Sequence, residues 1–241
     1  MPTAVHYIPI FTTCLALGFA LVLFRRYRER GRPHLLWWGI GMLTYAAGTI
    51  TESLTTLTGW HPGVFRAWYI TGALLGGAPL AQGTVYLLLR KRTADRLTVL
   101  LVTAVTTGAL LVLLSPLDYS LVEPHRLSGK VLVWHWVRYL SPFINLYAVT
   151  FLVGGAVLSA VRYARQRETR HRALANVAIA AGGILPGIGG AFTRFGHVEV
   201  LYVTEFLGLL LIALGYRLSV GPGVERSAAP VAGRLETVGG G

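Results

Sequence analysis

Seven long apolar stretches separated by short connections constrain this chain more than any other feature of its sequence. A helix needs about 20 apolar residues to cross the ~30 Å hydrocarbon layer of a bilayer. Backbone groups inside that layer must hydrogen-bond within their own segment, which favours helices. The sequence therefore predicts an all-α, polytopic membrane protein with seven spans. They lie at about residues 7–24, 35–57, 65–89, 97–115, 137–161, 173–193 and 198–217.

Basic residues fall on every second connection between these stretches. The chain has 22 Lys and Arg against 10 Asp and Glu, and 17 of the 22 follow the first, third, fifth or last span. Short basic loops stay on the cytoplasmic side of a membrane. This alternation predicts an N-terminus outside, a C-terminus inside and an odd number of spans.

The composition excludes several other classes of protein. Only 13% of residues are charged and 54% are hydrophobic, whereas a soluble domain carries roughly a quarter of charged residues. A single cysteine, Cys14, excludes a disulfide-stapled secreted domain. The basic excess is explained by topology and by contact with anionic lipid headgroups at the cytoplasmic face, so we expect no nucleic acid partner. The expected location is the cytoplasmic (inner) membrane, with a transmembrane domain over 1–220 and a disordered cytoplasmic tail over 221–241.

Two pairs of short sequence matches suggest an internal repeat. Residues 26–27 and 162–163 both read Arg-Tyr before a basic loop, and residues 69–71 and 202–204 read Tyr-Ile-Thr and Tyr-Val-Thr. They fit a parallel arrangement of three, one and three helices. The alternative is that cytoplasmic helix ends simply look alike. In outline the arrangement resembles the SWEET sugar transporters, although the Pro-Gln signature of that family is missing from the first and fifth spans.

Two carboxylates inside the spans are candidate functional groups. An ionisable residue there costs about 2.5–3.5 kcal/mol on insertion scales unless it faces protein or water. Glu52 lies on the second span in one stripe with Tyr45, Gly48 and Thr49, and Glu205 lies in the seventh. We expect the two carboxylates to be coupling or substrate residues. The alternative is that they only tie helices together.

The other candidates lie mostly near the outer ends of the spans. Arg66, Arg138 and Arg194 would hold an anionic group, or else they pair with nearby acids such as Glu199 at the interface. Tyr202, Gln82 and Asn145 would line the same cavity. The full predicted substrate-binding or coupling set is Glu52, Glu205, Arg66, Arg138, Arg194, Tyr45, Tyr202, Gln82 and Asn145.

No motif indicates an enzyme, a metal or a cofactor. The sequence lacks a Gly-x-Ser-x-Gly, a P-loop, an HExxH and a lysine within the last span. We therefore expect no cofactor and no catalytic residue. The outer histidines His61, His135 and His197 would form a metal site only if the three outer helix ends converge.

The glycine-rich run 182–190 of the sixth span has two interpretations. One is a hinge or broken helix lining a site, as carriers use, which would make this helix the moving part. The other is a tight helix contact with a kink at Pro186.

Three functions are compatible with these residues. The favoured one is a carrier for a small polar or anionic solute with an outward-facing pocket. The second is a sensor or accessory subunit that works through a membrane partner or as a homo-oligomer. The third is a membrane enzyme acting on a lipid or isoprenoid substrate.

Overall fold

The computed structural model describes residues 4–165, 169–193 and 195–220. Nearly all of these residues are helical, and they contain isolated bridges such as Leu117 with Leu132 but no strand. The all-α prediction is therefore confirmed for the described part of the chain. The predicted tail 221–241 and the candidate Arg194 lie outside the described residues.

The described residues form nine α-helices: α1 (Ile8–Arg30), α2 (Pro33–Thr58), α3 (Pro62–Trp68), α4 (Ala78–Leu88), α5 (Lys91–Leu114), α6 (Leu140–Ala148), α7 (Gly154–Ala164), α8 (Arg170–Thr193) and α9 (Val198–Val220). Because α3 continues into α4 and α6 into α7, these helices make seven rods. A π-helical segment, Tyr69–Leu75, joins α3 to α4 in the third rod, and another, Val149–Val153, joins α6 to α7 in the fifth.

Proline and glycine set several of the helix ends. Pro9, Pro33, Pro62 and Pro79 occupy the first turn of α1, α2, α3 and α4. Proline suits that position because its fixed φ is helical and the missing N–H would have no partner there. Gly31 ends α1 in the left-handed conformation, at φ 62°, which favours glycine.

Rods that follow each other in the chain run in opposite directions. Phe24, late in α1, packs on Gly39 early in α2, while Thr13 and Thr49 join the opposite halves of the two helices through their hydroxyls, 2.8 Å apart. The same reversed order is seen for Trp38 with Leu80, Glu52 with Trp68, Gly182 with Gly208, and Ala175 with Gly215. The connections after α1, α4 and α7 consequently share one end of the bundle, here called the basic end.

Five helical segments are long and apolar enough to cross a membrane. They are Ala4–Arg30, Lys91–Leu114, His135–Ala164, Arg170–Thr193 and Val198–Val220. This is consistent with an integral, multi-pass membrane protein. The second rod is less apolar, because α2 contains several Thr and Ser residues and Glu52. The third rod is interrupted in its middle. Seven crossings and their orientation stay predictions.

The break in the third rod lies at Gly76 and Gly77. Gly76 has φ 45° and ψ −126°, and a Cβ there would lie 2.6 Å from Oδ1 of Asn145. Asn145 in turn donates from Nδ2 to the carbonyl of Ala73 at 3.2 Å, which satisfies a backbone group freed by the break. The discontinuous helix of this bundle is therefore the third rod.

The glycine-rich run of α8 instead makes a tight helix contact. The α8 helix is continuous through Pro186. Gly182 lies so close to α9 that a Cβ would be 2.5 Å from the carbonyl oxygen of Gly208, and one on Gly189 would be 2.7 Å from the Cα of Leu201. Of the two interpretations of this run, close packing agrees with the structure and the broken helix does not.

The long connection between α5 and α6 packs as a small cap at the end opposite the basic end. Its core joins Val131, Leu132 and Val137 to Phe65 and Tyr69 of the third rod. One guanidinium nitrogen of Arg126 pairs with Glu123 at 3.1 Å, and the other donates to the carbonyl of Thr193, the last residue of α8. In the same loop, hydrogen bonds from Ser120 hold the pKa of Asp118 below its usual value.

Candidate functional site

The structure brings Glu52 of α2 and Glu205 of α9 together. Their carboxyl groups lie within hydrogen-bonding range of each other. Glu52 is only 7% exposed, and Oε2 of each carboxyl group is buried without a hydrogen-bond partner. Two ionised carboxylates only accept hydrogen bonds, so a bond between these groups requires a hydrogen on one of them.

The spacing of polar residues on α2 explains how the pair forms. Tyr45, Thr49, Glu52 and Thr56 follow each other at i, i+4, i+7 and i+11, which places them on one face of a helix. This face packs on α1 and α9, where the Thr49 hydroxyl meets Thr13. The stripe therefore turns Glu52 toward the seventh rod.

The α9 side of the contact is held by two tyrosines. The Tyr45 hydroxyl donates to the backbone carbonyl of Glu205 at 3.0 Å. The Tyr202 hydroxyl lies 2.8 Å from the hydroxyl of Thr56. Because Tyr202 and Glu205 are three residues apart on α9, these two hydrogen bonds fix the face of α9 that carries the second carboxyl group.

One indole completes the surroundings of Glu52. Trp68 Nε1 donates to Glu52 Oε1 at 3.1 Å. The third rod comes close enough because Gly48 and Gly72 face each other, and a Cβ on Gly48 would lie 3.5 Å from the Cα of Gly72. Trp68 was not among the predicted site residues. The available signal was its spacing: Trp68 lies one turn before Gly72, and Glu52 lies one turn after Gly48. Only the structure shows that the two glycines face each other.

No Lys or Arg of the described residues forms an ion pair with Glu52 or Glu205. Ion pairs closer than 4.0 Å in that part of the chain join Arg25 to Glu29, Lys91 to Asp95 and Arg126 to Glu123. None of them includes Glu52 or Glu205.

The predicted anion contacts do not join the carboxyl pair. Arg66 donates to the carbonyl of Ser115 at 3.1 Å, on the side of the third rod that faces α5. Arg138 is exposed and lies beside Gly129 and Tyr69. The structure therefore does not bring Arg66 and Arg138 into one pocket with the carboxylates. Arg66 lies two residues before Trp68, so the two side chains leave the helix on different faces.

Gln82 and Asn145 belong to a separate contact region, on the opposite side of the third rod. Gln82 is fully buried, and its Nε2 donates to Thr98 Oγ1 at 2.8 Å and to the carbonyl of Ala94 at 3.1 Å. Its Oε1 accepts a hydrogen bond from the Tyr147 hydroxyl. These contacts tie the third, fourth and fifth rods together and place Gln82 and Asn145 apart from the carboxyl pair. A binding role for the two residues stays a prediction.

We expect Tyr147→Phe to lower the stability of the protein. The change leaves Oε1 of the fully buried Gln82 without its donor, which costs about 1–3 kcal/mol for a buried group. A thermal unfolding curve of the purified protein measures the effect. Tyr139→Phe is the matched control because Tyr139 is 69% exposed, and equal losses in both variants would contradict the prediction.

The three outer histidines do not form a metal site. His61 caps α3, with its Nδ1 accepting from the backbone N–H of Gly63 at 3.2 Å, while His135 and His197 are exposed. Within the described residues no group of three or more His, Cys, Asp or Glu side chains could hold a metal ion. The convergence that a His61, His135 and His197 site would need does not occur.

An aromatic layer lies between the carboxyl pair and the basic end. The Tyr216 ring contacts Phe19 and Trp38, with ring centroids 5.2 and 6.1 Å apart. The Arg26 guanidinium lies 5.5 Å from the centroid of the Tyr216 ring. The layer joins α1, α2 and α9 between the pair and the basic end.

Comparisons of this chain with protein-family models, with curated proteins and with solved structures found no match.

Proposed function

We propose that the chain is a membrane carrier for a small polar solute, in which Glu52 and Glu205 form the coupling site. The observation that carries this proposal is the buried contact of two carboxyl groups from different helices. Each ionisable group within a span costs about 2.5–3.5 kcal/mol. Two glutamine or serine side chains would join α2 to α9 at lower cost, so a structural role explains the pair poorly.

The geometry favours a polar or cationic solute over an anionic one. A second anion beside two carboxyl groups would meet repulsion that no ion pair with a Lys or Arg of the described residues relieves. The aromatic layer around Tyr216 supports access to the pair from the opposite end of the bundle, which corresponds to the outward-facing pocket of the sequence analysis.

Catalysis is the less favoured alternative. The enzyme hypothesis needs His61 or His135 beside the carboxylates as acid–base or metal groups. His61 instead caps α3 and His135 is exposed. The sensor hypothesis stays a prediction, since it depends on a partner.

We expect proteoliposomes containing the protein to couple solute entry to proton movement. Vesicles loaded with a pH-sensitive dye would receive methylamine, glycine, glucose or acetate in turn, with protein-free vesicles as the background. At least one solute should give a dye response that falls about tenfold or more in Glu52→Gln, since an amide retains the acceptor for Trp68 but exchanges no proton.

The control for this experiment is Glu199→Gln. Glu199 lies on the same helix as Glu205 but is exposed, so its loss should leave the response unchanged. A response that is equal in wild type, Glu52→Gln and Glu205→Gln would overturn the coupling role of the pair. A protein that moves none of the four solutes above background would count against the carrier itself.

A further inference from the structure

We propose that Glu52 and Glu205 form a binding site for one small monovalent cation, an alkali metal or ammonium ion, which exchanges with the single proton that the two carboxyl groups share. This inference rests on the proposed function, because it names the class of solute that the coupling site binds.

The first support is the set of oxygen atoms around the pair. Buried Oε2 atoms of both glutamates have no partner, and Glu52 is 7% exposed. The hydroxyl of Tyr45, bonded to the backbone carbonyl of Glu205, and that of Tyr202, bonded to Thr56, lie in the same contact between α2 and α9. Carboxylate and hydroxyl oxygens are the ligands that hard cations prefer. The buried, unpartnered oxygens therefore suit a cation better than a neutral solute.

The second support is the charge around the site. The titratable side chains next to the pair are Tyr45 from α2 and Tyr202 from α9, with His6 from the segment before α1 against the Tyr202 ring; the third rod contributes the indole of Trp68. Glu199, further along α9 toward its start, is exposed. Lys and Arg side chains are missing from this set within the described residues. Within the described residues, a positive charge at the pair would come from His6, a bound proton or a bound cation.

Charge balance gives the stoichiometry of the exchange. Two carboxyl groups that share one proton carry a net charge of −1. When a monovalent cation binds and that proton leaves, the site holds two carboxylates and one positive charge, which is again −1. The exchange of one proton for one monovalent cation therefore leaves the charge of the site unchanged.

One aromatic side chain also offers a readout of the site. The Trp68 indole contacts Glu52 through its N–H. Since Trp68 Nε1 is bonded to Glu52 Oε1, its fluorescence should also report occupancy of the site.

Proton release from the purified protein tests the inference without any transport. Detergent-solubilised protein in a weakly buffered indicator solution would be titrated with NaCl, KCl or NH4Cl, and with choline chloride for ionic strength. At least one of the three small cations should release about one proton per chain, and choline none. Its apparent dissociation constant should fall about tenfold for each pH unit upward while the proton still occupies the site, because proton and cation compete one for one.

Variants show whether the released proton comes from the carboxyl pair or from elsewhere in the protein. Release should vanish in Glu52→Gln and Glu205→Gln and persist in Glu199→Gln. Glu52→Asp keeps a carboxyl group and should retain release with a changed affinity, which guards against a variant that only misfolds. Each protein is first checked for a single symmetric size-exclusion peak.

Three results would overturn the inference. They are release that persists in Glu52→Gln, release by choline equal to that by the small cations, and a dissociation constant independent of pH. If release is absent while a polar solute still drives Glu52-dependent proton flux in vesicles, this inference fails and the proposed carrier stands. If release occurs without any flux, the cation site stands and the carrier fails.

Discussion

Gly208→Ala is expected to destabilise the protein by about 1–3 kcal/mol, the usual cost of forcing an extra methyl into a packed contact. A Cβ at Gly208 would lie 2.7 Å from the carbonyl oxygen of Gly182, and Cβ atoms do not approach that closely without a shift of the helix backbone. The facing side of the contact is equally close, so α8 has no flexible side chain that can yield. Close approach of this kind drives helix association in membranes.

The same substitution at Gly187 is the matched control. Gly187 lies in α8, in the same helix pair, but a Cβ there meets nothing within 4 Å. Alanine is a better helix former than glycine by about 0.8–1.0 kcal/mol, so Gly187→Ala should leave stability unchanged or raise it. Thermal unfolding followed by size-exclusion fluorescence measures both variants. Equal midpoints would show that the α8 and α9 helices relax apart at no cost, contrary to the prediction.

The helical segments and the pairing of their directions followed from simple rules. Apolar runs of about 20 residues predict helices, and short connections such as the one at Gly31 force consecutive helices to run antiparallel. The polar stripe of α2 also predicted that Glu52 faces protein or water. These features depend on length, hydropathy and local spacing, which a single sequence contains.

The neighbours of each helix could not be predicted in the same way. A helix that is apolar on all sides has no face marked for the interior, and α9 carries only Glu199 and Glu205 as charged groups before its last turn. Its rotation in the bundle is set by Tyr45, Tyr202 and the glycine contacts with α8. These contacts connect residues that are far apart in sequence, so no periodicity within one segment reveals them.

The positions of the helix break and of the arginines were missed for related reasons. Gly182–Gly190 and Gly76–Gly77 look alike as glycine-rich stretches, yet the first faces a glycine on α9 and the second faces the side chain of Asn145. Glycine permits both close packing and a break, and the opposite element decides between them. Similarly, Arg66 is near Glu52 in depth but on another face of its rod.

Glu52→Gln combined with Glu205→Leu is expected to make the protein more stable while abolishing coupling. The double change removes both ionisable groups from the bundle interior, and glutamine keeps the acceptor for Trp68 Nε1. An ionisable group within a span costs about 2.5–3.5 kcal/mol, so removal of both groups should raise stability. Thermal unfolding near pH 7 measures the gain, and the dye-loaded vesicles measure the loss of flux.

The sign of this stability change separates a functional pair from a structural one. If the contact of Glu52 with Glu205 exists to hold α2 against α9, its removal should cost about 0.5–1.5 kcal/mol, as for other hydrogen bonds. If the pair is kept for binding, the protein carries it at the expense of stability, and its removal should raise the unfolding temperature. Glu199→Gln on exposed α9 surface should change the midpoint in neither case. A lower midpoint in the double variant would therefore assign the two carboxyl groups to helix packing and remove the basis for a coupling site.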